Sequence, residues 1–378
     1  MNFNLTKEQE MIQKMIRDFT ENEVQPLAAE VDENHRFPTE TVEKMAKYGL
    51  LGMIIPKQYG GAGADDLSYA MVVEELSRAC ATTGVIESAH SSLCCWPIIK
   101  FGNDEQKKRF LPDLAKGKLG AFGLTEPNAG TDAAGQQTTA VLDGDEYVIN
   151  GSKIFITNGG YAETYIVIAV TDRAKGVKGT SAFIVDSSTP GFSIGKVEKK
   201  LGIKGSSTTE LVFENMRIPK ANLLGKEGQG FKIAMQTLDG GRIGIAAQAL
   251  GIAQGALDET IKYVQEREQF GRPLSKFQNT QFQIADMETK IQASRHLVYS
   301  AACAKQEGKP YAKLAAMAKL FAAETSMEVT TKAVQLHGGY GYTADYPVER
   351  MMRDAKITEI YEGTSEVQKM VIAGSVIK

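Results

Sequence analysis

Ile360-Tyr361-Glu362-Gly363-Thr364-Ser365-Glu366-Val367-Gln368 stands ten residues before the end of a 378-residue chain. Ser365 followed three residues on by Gln368 fits a capping box, which predicts a helix starting at about Ser365. Glu362 then sits on the loop leading into that helix, where Ile360 and Tyr361 can partly bury it. A carboxylate in such a place resists ionisation and becomes a usable base once substrate excludes water. An isolated Glu-Gly pair would read as a solvated loop; the surrounding chain changes that reading.

Working back from this stretch, residues 240–265, 278–306 and 310–336 form long helical patterns, the last opened by Pro310 and closed by Gly338-Gly339. A shorter helix is expected at 348–355. Residues 119–221 differ in character: β-rich runs at 147–149, 154–157, 165–170, 181–185 and 210–213 alternate with the turn signals Asp143-Gly144 and Asn150-Gly151. Residues 1–118 are helical again. Thr6 and Gln9 fit a capping box, Ile12, Ile16 and Phe19 share one face, and Pro38-Thr39 opens a further helix. The expected fold class is α+β: an N-terminal helical domain (1–118), a central β domain of hairpins (119–221) and a C-terminal, four-helix-bundle-like domain (222–378). No G-x-G-x-x-G follows a strand, so a Rossmann dinucleotide fold is not expected.

Composition narrows the function. The net charge of −3 argues against nucleic acid, and no apolar stretch is long enough to span a bilayer. Cys80, Cys94, Cys95 and Cys303 lack metal-ligand spacing, and His35, His90, His296 and His337 are scattered, so neither a metal site nor a histidine triad is expected. Reduced thiols and a polar start without the features of a signal or transit peptide point to a cytoplasmic setting.

Four more segments carry chemistry. FGLTEPNAGTD (122–132) is rich in small and turn residues and offers backbone N–H groups and hydroxyls to an anionic or heteroaromatic ligand. KIFITNGG (153–160) sets Phe155 beside Thr157, a stacking ring next to a hydrogen-bonding hydroxyl, which suits a flavin. REQFGRP (267–273) is a tight, basic, aromatic loop that can hold a diphosphate and stack on an adenine. The glycines of QLHGGYGY (335–342) let backbone approach a ligand closely.

Together these segments resemble the acyl-CoA dehydrogenase family over essentially the whole chain, nearest its short-chain, butyryl-CoA branch. The resemblance implies a homotetramer, arranged as a dimer of dimers, with one FAD per subunit. It implies Glu362 as catalytic base. It places Phe122, Leu124, Thr125, Thr131, Phe155, Ile156 and Thr157 around the flavin ring. Arg267, Gln269, Phe270, Gln278, Gln335, Leu336, Gly338 and Gly339 would hold the ADP part of a neighbouring subunit's FAD, with Thr364 and Glu366 completing the site. Thr131, Leu238, Asp239, Arg242, Tyr361 and Gly363 would line the acyl-CoA side. A minority branch of the family carries its base on the helix that here begins Leu238-Asp239-Gly240-Gly241-Arg242; the corresponding position is Gly241, which leaves Glu362.

The implied reaction interconverts butyryl-CoA and crotonyl-CoA and exchanges electrons with electron-transferring flavoprotein, without metal or nucleic acid. Trp96 is expected to plug the acyl pocket and favour four-carbon chains. Alternatives are a branched-chain or glutaryl-type dehydrogenase, or a catalytically silent acyl-CoA- or flavin-binding assembly partner. An acyl-CoA oxidase is disfavoured because the chain ends soon after Gln368.

Overall fold

The structure, a computed structural model, describes residues 4–377; residues 1–3, part of the polar start, and Lys378 lie outside the described residues. The chain opens with α1 (Lys7–Phe19), α2 (Ala28–Glu33), α3 (Thr39–Lys47), α4 (Asp66–Ala79), α5 (Ala81–Ser88), α6 (Trp96–Phe101) and α7 (Asp104–Ala115). The capping box expected at α1 is formed: Gln9 N donates to Thr6 Oγ1, and Thr6 N donates to Gln9 Oε1. The pattern expected to run unbroken over 86–101 is instead α5, a π-helical stretch (Ala89–Cys95) and α6. The wider π turn rotates the residues that follow it about the helix axis, with consequences for the acyl pocket.

The middle of the chain forms β1 (Leu119–Gly123), β2 (Thr139–Asp143), β3 (Glu146–Thr157), β4 (Ala162–Val170), β5 (Thr180–Asp186), β6 (Phe192–Val197), β7 (Thr208–Pro219) and β8 (Leu223–Leu224). The sheet order is β6-β7-β3-β2-β4-β5-β8, with β1 pairing β4 in parallel. It is therefore a mixed sheet and not hairpins alone. Asp143-Gly144 does turn β2 into β3, with Gly144 at φ 62°. Asn150-Gly151 does not turn the chain; it is a bulge within the 12-residue β3. Gly151 has φ 137°, and a Cβ there would lie 2.7 Å from Thr138 Cα, so backbone proximity rather than chain reversal accounts for the glycine.

The chain continues as α8 (Gly230–Glu266), a short hairpin of β9 (Glu268–Gln269) and β10 (Arg272–Pro273), then α9 (Gln278–Gln306), α10 (Ala312–His337), α11 (Val348–Ala355) and α12 (Ser365–Val376). Helix α8 is the axis of the molecule. It approaches α4 so closely that a Cβ at Gly251 or Gly255 would stand 2.1 Å from the carbonyl oxygens of Glu74 and Arg78. Its Ile243, Leu250 and Leu257 are at most 1% exposed, each stabilising the fold by about 1.5–3 kcal/mol relative to exposure. The N-terminal end of α8, the C-terminal ends of β1 and β3, and the loop before α12 converge on a single cleft.

Candidate active site

Glu362 has a left-handed backbone, φ 51°, and Gly363 follows at φ 96°. A non-glycine residue holds this conformation only where its surroundings impose it. Here several side chains do. Gln368 Nε2 donates to the carbonyls of Glu362 (3.2 Å) and Gly363 (2.8 Å), Lys319 Nζ donates to Gly363 O (2.8 Å), and Arg242 Nε reaches Glu362 O (3.5 Å). On the other side Tyr361 donates its hydroxyl proton to Gln248 Oε1. The helix cap is one residue earlier than the sequence suggests. Thr364 is the N-cap, its Oγ1 accepting from Val367 N at 3.4 Å, and Ser365 is the first helical residue. Gln368 is thereby released from a capping box to brace the Glu362 turn.

The carboxylate is poised for proton transfer. Glu362 as a whole is half-buried, but its Oε2 is sealed from solvent and has no hydrogen-bond partner among the described residues. Burial raises its pKa to about 8, against the opposing pull of Lys319 and Arg242. Room for Oε2 comes from Gly241 on α8: a Cβ there would lie 2.1 Å from it and 2.8 Å from Leu93 Cδ2. The glycine that leaves no carboxylate at this position of α8 thus also makes room for the Glu362 carboxylate.

Two adjoining cavities, of about 550 and 330 Å³, meet at Glu362 and share Thr125, Thr131, Phe155, Thr157, Tyr361 and Gly363 among their walls. Thr364 borders the larger one. The smaller is walled by Phe122, Leu124 and Ile156, by Val85, Ala89 and Leu93 from α5 and the π turn, and by Leu238 and Arg242 from α8. Arg242 is held by Asp239, Nη1 to Oδ1 at 2.6 Å, while Asp239 itself lines neither cavity. Trp96 is not a wall of either cavity. After the π turn it stands edge-on to Phe101, with the Lys305 ammonium 5.4 Å from its ring centroid. Leu93 takes the position expected of it.

The flavin-type segments come together through β3. A second irregularity between Lys153 and Ile156 puts Phe155 at φ 59° and leaves it 59% exposed toward the cleft, while Ile156 packs inward. Beneath them Lys153 is wholly buried. Its Nζ donates to Glu126 Oε1 (2.7 Å), Leu124 O (3.1 Å) and Gln136 Oε1 (3.2 Å), and Glu126 also accepts from the backbone of Gln137 and Thr138. With Ile154 N donating to Thr125 O (2.8 Å), this ties the 122–132 loop to the 153–160 strand. The remaining predicted cofactor residues lie elsewhere. Arg267, Gln269, Phe270, Gln278, Gln335, Gly338 and Gly339 are exposed, Leu336 is partly buried, and none lines the cleft. Their two loops meet each other, the Arg267 guanidinium lying 5.6 Å from the Tyr340 ring centroid. Glu366 is exposed in the first turn of α12.

Lys153, Lys319 and Glu126 were invisible as site residues in the sequence because lysine and glutamate usually read as surface. The available signal was weak: Lys319 sits in a run of small apolar residues, Ala315-Ala316-Met317-Ala318, and Lys153 falls in a β-rich run. The residues fit a flavin. An exposed aromatic ring in an imposed backbone conformation, the three threonines Thr125, Thr131 and Thr157, and a buried carboxylate oxygen without a partner among the described residues border one space.

Comparison with known proteins places the whole chain in one family. Family models for the N-terminal, middle and C-terminal domains of acyl-CoA dehydrogenase match residues 6–118, 121–216 and 228–377. The short-chain specific acyl-CoA dehydrogenase of Clostridium acetobutylicum is 65% identical, with 100% of both chains covered. The butyryl-CoA dehydrogenase structure from Megasphaera elsdenii superposes with a TM-score of 0.98 at 54% identity, covering 100% of each chain. A chain from a structure describing the electron transferring flavoprotein of Acidaminococcus fermentans and flavin-based electron bifurcation superposes at 0.99, with 57% identity and 100% of each chain covered. The chain belongs to the acyl-CoA dehydrogenase family. It is an FAD-dependent oxidoreductase.

Proposed function

We propose that the protein interconverts a short-chain acyl-CoA and its 2-enoyl-CoA, butyryl-CoA and crotonyl-CoA in the simplest case, with Glu362 as the base. The observation that carries this reading is the buried, unpartnered Oε2 of Glu362 at the junction of the two cavities. Bound FAD supplies the two-electron acceptor for the hydride from the β-carbon. Glu362 takes the α-proton onto its carboxylate as the α C–H bond breaks. Its backbone N–H is the protein's donor toward the thioester oxygen, where charge develops, and a water-poor site strengthens that bond. Phe155 and Thr157 would face the flavin ring; Thr125, Thr131, Phe122 and Leu124 would border it, with Ile156 behind. Leu238, Arg242, Tyr361 and Gly363 would flank the thioester. Asp239 acts through Arg242.

The exposed Arg267 and Gln335 clusters serve a neighbouring subunit in this reading, with Thr364 and Glu366 at the join, so tight FAD binding requires the homotetramer. Phe270, 94% exposed on one protomer, is the side chain whose position makes most sense at such a contact. Electron-transferring flavoprotein is the proposed redox partner. Among the described residues no helix is long and apolar enough to cross a membrane, and a cytoplasmic location is proposed. The functional units are proposed as 1–118, 119–221 and 222–378.

The test is an anaerobic titration with butyryl-CoA of the parent protein and Glu362→Gln, following the flavin absorption band. The parent should bleach with about one equivalent per subunit. The variant should keep its FAD and reduce it at least about 10²-fold more slowly. Near-parental reduction by the variant would remove Glu362 from the role.

A further inference from the structure

Lys319 is an expensive residue to bury. It lies on α10, is 0% exposed, and its ammonium makes its hydrogen bond to a backbone carbonyl, Gly363 O at 2.8 Å. An ammonium taken out of water needs charge compensation as well as hydrogen bonds. The charged groups facing it are Glu362 and Glu359 from the loop before α12, Arg242 from α8 and Glu366 from α12. Glu362 acts on Lys319 more strongly than the other charges do, and Lys319 likewise acts more strongly on Glu362 than Arg242 does. The same side chain therefore holds the carbonyl immediately after the base and brings its positive charge near the base's carboxylate without pairing with it directly. The turn it holds is the one at φ 51° and 96° that directs Oε2 into the space over Gly241.

We propose that Lys319 is the positioning residue of the base: its hydrogen bond to Gly363 fixes the turn that presents Glu362, and its positive charge favours the carboxylate over the carboxylic acid. The inference rests on the reading of Glu362 as base. Lys319 touches neither substrate nor flavin in this scheme; it acts through Glu362. Burial of both groups strengthens the coupling, since the field between them is not screened as it would be in water. Burial lowers the Lys319 pKa to about 8 despite the acidic groups around it, so at neutral pH the ammonium remains the main form.

Two substitutions separate the two parts. Lys319→Met removes both the charge and the hydrogen bond. Lys319→Gln removes the charge and keeps an N–H donor for Gly363 O. Each FAD-loaded tetramer would be mixed anaerobically with butyryl-CoA, and the single-turnover rate of flavin bleaching recorded from pH 6 to pH 10, beside the parent and Glu362→Gln. Loss of the nearby cation disfavours the carboxylate, so the ascending limb of the rate should move to higher pH by about one unit in both variants. At pH 7 that corresponds to a roughly tenfold slower reaction. Lys319→Gln should recover most of the parental rate above the limb, while Lys319→Met should stay slower because the turn is loosened. A limb unmoved in both variants overturns the proposal and leaves the role of Glu362 intact. Rapid bleaching of Glu362→Gln instead overturns the underlying reading. If both Lys319 variants emerge without FAD or unfolded, Lys319 belongs to the core rather than to the base, and the proposal is likewise overturned.

Discussion

Lys153→Met cuts the buried pair that joins the two flavin-type segments. Lys153 is 0% and Glu126 4% exposed, with Nζ and Oε1 2.7 Å apart. Burial tends to raise the Glu126 pKa, but Lys153 and the amide of Gln137 outweigh it and hold the carboxyl below its ordinary value. Burial pushes Lys153 down to about 8, so both groups are charged at neutral pH. Removing the cation leaves a buried carboxylate with backbone donors only, and strips Leu124 O and Gln136 Oε1 of the Nζ donor. Breaking such a pair from one side costs about 3–5 kcal/mol. Lys153→Met with Glu126→Gln leaves no buried charge, and the cost falls to about 1–3 kcal/mol for the unmet hydrogen bonds. The assay is thermal unfolding of the FAD-loaded protein at fixed protein and FAD concentration. The midpoint of Lys153→Met should drop by about 4–6 °C, with the double variant between it and the parent. The single variant's deficit should shrink toward acid pH. Its Glu126 titrates above the parental value, so protonation relieves the unpaired charge at a pH where the parent's Glu126 is still ionised. A single variant as stable as the double one, or a deficit independent of pH, would refute the ion-pair account of the loop.

Further outcomes follow from the cleft. The second-order rate of flavin reduction by butyryl-CoA should climb about tenfold per pH unit below pH 8 and level off above it. As the proposed base Glu362 acts only when deprotonated, and burial puts its pKa at about 8. Gly241→Ala should keep FAD but slow reduction at least about tenfold, because its Cβ would take the space 2.1 Å from Glu362 Oε2; a parental rate would show that the carboxylate works from another position. Leu93→Ala should widen the smaller cavity and improve kcat/KM for six-carbon over four-carbon thioesters, whereas Trp96→Ala should leave that ratio unchanged, since only Leu93 is a wall. A chain-length shift in Trp96→Ala alone would restore the plug.

Much of the outline is written in short-range chemistry. Thr6 and Gln9 cap α1 as expected, the 278–306 pattern is α9 to the residue, and Gly338, at φ 62°, ends α10. Such features depend on neighbours three or four positions away, which a sequence displays directly. The five family-like segments were equally legible, Glu362 among them, because each is local. Where the reading slipped, a distant partner decided. Asn150-Gly151 has the composition of a turn, but β7 pairs along both sides of it and makes it a bulge. Ser365 and Gln368 have the spacing of a cap, but Gln368 serves two carbonyls upstream and Thr364 caps instead. Trp96 lies in the right helical region, but the π turn before it aims Leu93, not Trp96, at the pocket.

The sequence by itself determined the three-part plan and singled out Glu362 as the candidate base. Only the tertiary structure decided the environment in which that base sits. Glu362 meets Gly241 across more than a hundred residues, and Lys319 reaches Gly363 across 44. Lys153 crosses 27 residues to Glu126. A lysine carries no mark in sequence of whether its ammonium will end in water or in a core, because that depends on which acid or carbonyl the folded chain sets within 3 Å of it. Burial then changes its physics: the loss of solvent makes the charge costly and its pairing strong. The local code therefore names the candidate reactive group, and long-range packing sets its pose and its proton affinity.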